Sequence, residues 1–285
     1  MKLKTVFATA MLVVSASAWS TASAQETTLK WYGHAAYALT TPSGKVLMID
    51  PWLKNPLNSE AKDGKDPVSA IPKVDYILIT HGHFDHVGEA VELAKKTGAK
   101  LVTNFELGTN MAKVLGYPKE QMGFETLMNI GGEITIADGE VKVAMIPAIH
   151  SSSIQVPNSG PKSPDLIFGG TPAGFVLSVK NGPVVYHSGD TAYYSDMALI
   201  GEQYAPDVAL INIGGHFGME PAMAAKAAAA TKAKLAIPQH YATFPVLTQD
   251  PNTFKAALAE KGIPYRQMRP TETLTFTGKQ LKSLP

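Results

Sequence analysis

The sequence predicts an α+β fold, a single domain of two β-sheets packed face to face with helices outside them, and three observations carry that prediction. Short β-like runs bounded by turn formers recur along the chain. Helical patterns are interspersed among them. Strand patterns also resume on the far side of a Ser/Pro/Gly-rich stretch at 151–172, which therefore reads as a long loop overhanging one domain rather than a linker between two. At 285 residues, 45% hydrophobic and 17% charged, the chain is long enough to bury one large core.

The elements follow in order. Strands are predicted at Leu29 to Gly33, Ala36 to Thr40, Val46 to Asp50 and Val74 to Thr80, with Pro42-Ser43-Gly44 making one of the turns, so the chain opens as a meander. A helix over Gly88 to Lys96, a strand at Lys100 to Thr103, a helix near Asn104 to Leu115 and strands at Glu133 to Ile136 and Val141 to Ala148 come next. Beyond the loop lie strands at Phe175 to Val179, Val184 to His187, Val208 to Ile213 and Leu235 to Pro238. Helices fall near Tyr194 to Tyr204, Pro221 to Thr231 and Pro251 to Lys261. The alanine run within 222–230 is short and punctuated by Lys226, which fits a packed helix of high propensity better than a membrane-active one.

Residues 1–24 have the layout of a cleavable secretory signal: Lys2 and Lys4, an apolar stretch from Thr5 to Trp19, then Ala22-Ser23-Ala24. Cleavage would leave a domain spanning 25–285, exported to the periplasm or outside the cell, with no stable membrane association. Losing the leader removes two of the 25 basic residues and none of the 24 acidic ones, for a net charge of −1. Such a balance implies no nucleic-acid surface and leaves a small molecule as the expected partner; it says nothing of oligomeric state. The absence of cysteine excludes disulfides, thiolate nucleophiles and Cys-ligated zinc.

The eight histidines carry the functional signal. Thr80-His81-Gly82-His83-Phe84-Asp85-His86-Val87-Gly88 follows directly on the apolar Val74 to Ile79. In extended backbone His81 and His83 project to the same side, and a turn starting a helix sends Asp85 and His86 toward a neighbouring position. One segment thus offers donors to two metal ions. His150, Asp190 and His240 each begin a loop after an apolar run, where strand ends would complete the ligand shells. A lone histidine in such a place is ordinarily a cap or a surface residue; three such donors beside H-x-H-x-D-H favour ligation. Imidazole and carboxylate donors suit zinc first, with manganese and iron(II) as alternatives.

With these motifs the chain resembles the metallo-β-lactamase superfamily, and within it the metal-dependent hydrolases similar to L-ascorbate-6-phosphate lactonase. The likeness extends to Trp31-Tyr32-Gly33-His34-Ala35, Asp50-Pro51-Trp52, Pro147 to Ser151, Tyr186 to Thr191, Ile213 to Met219 and Pro238 to Pro245. It implies a four-layer αββα sandwich with the site at one edge. It also implies His81, His83 and His150 on one divalent ion, Asp85, His86 and His240 on a second, and Asp190 bridging them. One segment departs from the family's pattern, reading Gly218-Met219-Glu220 where relatives have threonine-methionine-glycine, so the sugar-phosphate specificity is not carried over.

The expected activity is hydrolysis of an ester-like bond, in a lactone or a phosphodiester. Two ions sharing one water bring its pKa toward about 7, so hydroxide forms at neutral pH. Asp85 or Asp190 would take or relay the proton. His216, after Gly214-Gly215, would orient substrate or stabilise an oxyanion, with a supporting hydrogen-bond role as its alternative. His34 and Asp50 read as hydrogen-bond partners of the ligands, and His187 as structural. Three other functions remain: a β-lactamase-type amide hydrolase, an iron-dependent oxidoreductase on the same fold, and a metal-binding protein without catalysis.

Overall fold

A computed structural model describes residues 26–62, 64–160 and 164–282. The leader expected at residues 1–24 lies outside them. One sheet has eight strands in the order Gln280–Leu281, Thr273–Thr277, Glu26–Gly33, Ala36–Thr40, Val46–Ile49, Tyr76–Leu78, Lys100–Asn104 and Leu127–Met128. The other has six, in the order Ala236–Gln239, Val208–Asn212, Val184–His187, Ala173–Val179, Val141–Pro147 and Glu133–Ile136.

Side-chain alternation along the first sheet explains how it is sandwiched, because successive residues of a strand face opposite sides. Leu47, Ile49, Leu78 and Val102 join Phe175, Val143 and Tyr186 of the second sheet in one core. Met48, Ile77 and Leu101, one residue out of phase, pack in a separate cluster with Leu93 and Ala94 of helix Ala90–Thr97. On the second sheet, Ala224, Ala225, Ala227 and Ala228 of helix Pro221–Ala230 are buried with Phe254 and Leu258 of helix Asn252–Ala259. The result is the expected αββα order. No helix of the described residues is long and apolar enough to cross a membrane.

Strand direction determines where the loops gather. Val46–Ile49, Tyr76–Leu78 and Lys100–Asn104 run parallel, as do Val184–His187, Val208–Asn212 and Ala236–Gln239. Val141–Pro147 is antiparallel to Ala173–Val179, which is antiparallel to Val184–His187, so it points the same way as the latter. The carboxyl ends of these strands deliver Asp50, the His81 segment, His150, Asp190 and His240 to one edge of the sandwich, the end of a sheet at which α/β proteins place ligands.

Several elements differ from expectation. Only the first three strands form an antiparallel meander; the fourth, Tyr76–Leu78, pairs parallel to the third. The helix expected from Gly88 begins as a single turn, Phe84–Val87, breaks at Gly88 and resumes as Ala90–Thr97. The helix near Asn104 ends in a π turn at Met111–Leu115. Within the 151–172 loop, Ser153–Gln155 pairs with Leu166–Phe168 as a two-stranded ribbon, and the second of these strands is wholly exposed, so no buried face marks it by period. The closing strands were not anticipated, although Thr273–Thr277 carries a period-two pattern that buries Leu274 and Phe276 against the amino-terminal strand.

Candidate metal centre

Backbone contacts hold the donor loops together. His240 N donates to His34 O at 3.1 Å, Ala192 N to Ile149 O at 2.9 Å, and Ala173 N to Thr80 O at 3.0 Å. Ser152 Oγ accepts from Gly82 N at 3.0 Å and donates to Gly169 O at 2.6 Å, which fastens the overhanging loop to the His81 segment. Backbone strain gathers here too. His34, Asp50 and His240 have φ of 52°, 43° and 59°, a left-handed region that costs a non-glycine residue about 1–3 kcal/mol and persists where the surroundings over-determine it.

All seven donors read from the sequence meet at this edge. The donor atoms of His81, His83 and His150 lie within 4.8 Å of one another, and so do those of a second set made of His34, Asp85, His86 and His240. His81 Nε2 faces His83 Nδ1 at 3.0 Å. Asp190 stands between the sets: its Oδ2 is 2.9 Å from His240 Nε2, 3.5 Å from His86 Nε2 and 3.7 Å from His150 Nε2. Asp85 Oδ2 lies 3.7 Å from His240 Nε2 and 3.1 Å from His34 Nε2, so His34 stands among the donors themselves.

The supporting contacts orient these groups. Asp50, fully buried, accepts from Thr80 N at 2.8 Å, Thr80 Oγ1 at 2.7 Å and His86 Nδ1 at 2.7 Å, which turns His86 Nε2 toward the centre. Asn212 Nδ2 donates to Asp190 Oδ1 at 2.7 Å, leaving Oδ2 to the imidazoles, and Asn212 Oδ1 accepts from Gly214 N at 2.9 Å. A Cβ on Gly214 would lie 2.8 Å from His240 Nδ1, so this close approach requires glycine. His34 Nδ1 lies 2.7 Å from Thr243 Oγ1. His187 is structural: its Nε2 donates to Ala35 O at 3.0 Å and its Nδ1 accepts from Gly189 N at 3.1 Å.

Electrostatics divide the histidines. Burial and the neighbouring His86 push His81 well below the usual imidazole range and His83 down to about 4; burial and His240 push His34 down to about 3. Burial also lowers His150. For His86 and His240 burial acts the same way but is outweighed. Asp190 and Asp50 raise His86 well above its ordinary value, and Asp190 raises His240 to about 9. Burial opposes ionisation of Asp85 and Asp190 as well, yet His240 and His34 hold Asp85, and His240 and His86 hold Asp190, well below the carboxylate range.

A divalent cation fits this arrangement. Among the described residues no Lys or Arg pairs with Asp50, Asp85 or Asp190, so imidazoles alone offset buried negative charge. His86 Nε2 and His240 Nε2, though near carboxylate oxygens, are buried without a well-directed hydrogen bond. Buried polar atoms left in that condition are costly unless something else binds them. The chemistry of the donor set, imidazole nitrogen and carboxylate oxygen with no sulfur, is that of zinc, manganese or iron(II).

His216 stands apart from the donors. It is exposed, edge-on to Phe217 at 4.6 Å, and it is Phe217 that lines the cavity above the centre, so the geometry gives an oxyanion role for His216 no support. Sequence reasoning passed over Asn212, Thr80 and Thr243. For Asn212 a signal existed, since it ends the apolar run Val208–Asn212 in the same way that the donors end theirs.

Asp50 provides a direct check on this support. Asp50→Ala leaves His86 Nδ1 and Thr80 N without their acceptor, and partners of this kind are worth about 10–100-fold in metal affinity. Competition with a chromophoric chelator should show a loss of that order, and an unchanged affinity would mean that Asp50 does not orient His86.

A profile for the β-lactamase superfamily domain matches residues 45–241, a span containing Asp50 and all seven expected donors. A metal-dependent hydrolase of Thermodesulfovibrio yellowstonii is 49% identical over 237 residues, covering 83% of this chain and 86% of that protein. Another, from Anaeromyxobacter sp. strain K, is 46% identical over 261 residues, covering 91% of this chain and 90% of the relative. Among solved structures, Igni18, a metallo hydrolase from the archaeon Ignicoccus hospitalis, is similar with a TM-score of 0.73 at 34% identity, over 88% of this chain and 98% of that one.

Proposed function

The chain belongs to the metallo-β-lactamase superfamily of metal-dependent hydrolases, and from that premise we propose that it cleaves an ester-like bond, in a lactone or a phosphodiester, of a small molecule. One observation carries the proposal: His83, Asp85, His150, Asp190 and His240 all open onto one cavity of about 660 Å³, roomy enough for a small substrate. In this reading His81, His83 and His150 hold one divalent ion, Asp85, His86 and His240 hold a second, and Asp190 serves both. Bound there, the ions would lower the pKa of water toward about 7 and act as Lewis acids on the substrate's oxygen.

The chain's own residues do the rest. Asp50 and Asn212 fix the orientations of His86 and Asp190. In this reading Asp85 or Asp190, the carboxylates on the cavity wall, would take or relay the water's proton. Ser151, Ser153 and Gln155 offer hydrogen bonds to the substrate from the overhanging loop. Zinc is the proposed native metal, and the proposal extends to cleavage of residues 1–24 and action outside the cytoplasm, supported by their Lys2/Lys4, apolar and Ala22-Ser23-Ala24 layout; fractionation of expressing cells would test it by locating the processed chain.

Metal removal tests the proposal. A ligand that binds only the folded state at about 100 times its Kd stabilises it by about 2.7 kcal/mol. For a domain of this size that corresponds to a Tm shift of about 5–10 °C. Dialysis against a chelator should lower Tm by that amount and abolish hydrolysis, with zinc, manganese or iron(II) restoring both. Turnover and Tm that ignore the chelator would rule the metal-dependent reading out.

A further inference from the structure

Resting on that hydrolase reading, we propose that the substrate is a carboxylic ester or lactone whose acyl side is an apolar chain or ring, seated on a wall formed by Phe84, Leu166, Phe217, Phe244, Pro245 and Val246. All six line the one cavity onto which the metal donors open. Phe84, Leu166, Phe217 and Val246 each leave more than half of their surface exposed. Single exposed apolar residues are ordinary, but a contiguous group at the mouth of a polar centre marks a place where apolar matter binds.

The wall is built close to the chemistry and is preformed. Phe84 lies in the chain between His83 and Asp85, and Phe244 follows His240 by four residues. Phe244 stacks on Trp52 at 5.3 Å with 10° between the ring planes, lies 6.2 Å from Phe84, and stands edge-on to His34 at 6.0 Å. Aromatic rings held by one another present apolar surface at little cost in side-chain entropy. Apart from the donors, the lining among the described residues contains only neutral side chains. The wall thus favours a substrate with an apolar body over a polar sugar phosphate.

The reaction balances without any further reagent. The oxygen of water bonds to the carbonyl carbon and the acyl carbon–oxygen bond breaks. One proton of the water ends on the departing alkoxide oxygen, giving an alcohol, and the other leaves to solvent as the carboxylic acid ionises.

The test compares the metal-loaded protein on p-nitrophenyl acetate, p-nitrophenyl octanoate and bis(p-nitrophenyl) phosphate, alongside binding of acetohydroxamate and octanohydroxamate by calorimetry. Six added methylenes, each worth up to about fourfold when fully buried, should raise kcat/KM about a hundredfold on a wall left partly open. Octanohydroxamate should bind tighter than acetohydroxamate by a similar factor. Val246→Asp and, independently, Leu166→Ser should each cut the octanoate-to-acetate ratio at least tenfold. Equal hydroxamate affinities, a flat chain-length profile, or preference for the diester overturns the substrate class while leaving the hydrolase reading intact. Turnover of none of the three compounds counts against the hydrolase reading, and the hydroxamate ratio then decides the apolar wall by itself.

Discussion

In His83→Ala and Asp190→Asn, turnover is expected to fall by about a thousandfold or more while the far-UV circular dichroism of the folded protein is retained. The magnitude follows from the several kcal/mol of transition-state stabilisation that a metal supplies, since 1.36 kcal/mol is tenfold in rate. Asp190 Oδ2 lies 2.9–3.7 Å from His86, His150 and His240, so neutralising it touches all three together. His83 sits in the turn after strand Tyr76–Leu78 and lies outside both buried clusters, which is why the fold should survive. Steady-state kinetics with elemental analysis of the same samples checks the prediction. Wild-type rates in both variants, with their metal content reduced, would show that the centre is not catalytic.

Gly88→Ala is expected to destabilise the protein by about 3–5 kcal/mol, the upper range for a single substitution, and to weaken metal binding as well. Gly88 ends the one-turn helix Phe84–Val87 at φ 31° and ψ −120°, a conformation closed to residues with a Cβ. An added Cβ would also lie 2.4 Å from Trp52 Cα and 2.5 Å from Pro51 O, and backbone has no rotamer by which to step aside. The segment it strikes cannot yield cheaply. Glu89 N donates to Pro51 O at 2.8 Å, and Glu89 Oε2 accepts from Leu53 N at 2.7 Å. Displacing that segment moves Asp50, and with it the acceptor that orients His86. Urea titration should show a lower midpoint together with weaker metal affinity; a midpoint within error of wild type would mean that the contact relaxes by a route outside this geometry.

By itself the sequence determined the chemistry on offer and the elements that present it. His81, His83, Asp85 and His86 are legible together because one turn after one buried strand brings them within reach of each other, and short, mostly continuous apolar runs bounded by turn formers mark most strands by an equally local rule. His150, Asp190 and His240 were legible as strand-end donors, again from their immediate neighbours.

Only the tertiary structure decided which donors stand together. Asp190 meets His86 across more than a hundred residues of chain, His34 meets Asp85 across 51 and Thr243 across 209, and even Asn212 reaches Asp190 from another strand end 22 residues away. The apolar wall joins Phe84, Phe217 and Phe244 from three segments far apart in sequence, and nothing in the neighbours of any one of them marks it as part of a wall. The pairing of Thr273–Thr277 with the amino-terminal strand is likewise a contact between the two ends of the described chain. Propensity and pattern act over a few residues, whereas strand direction and the burial of two sheets against each other determine which loop ends share an edge, and that information exists only once the chain is folded.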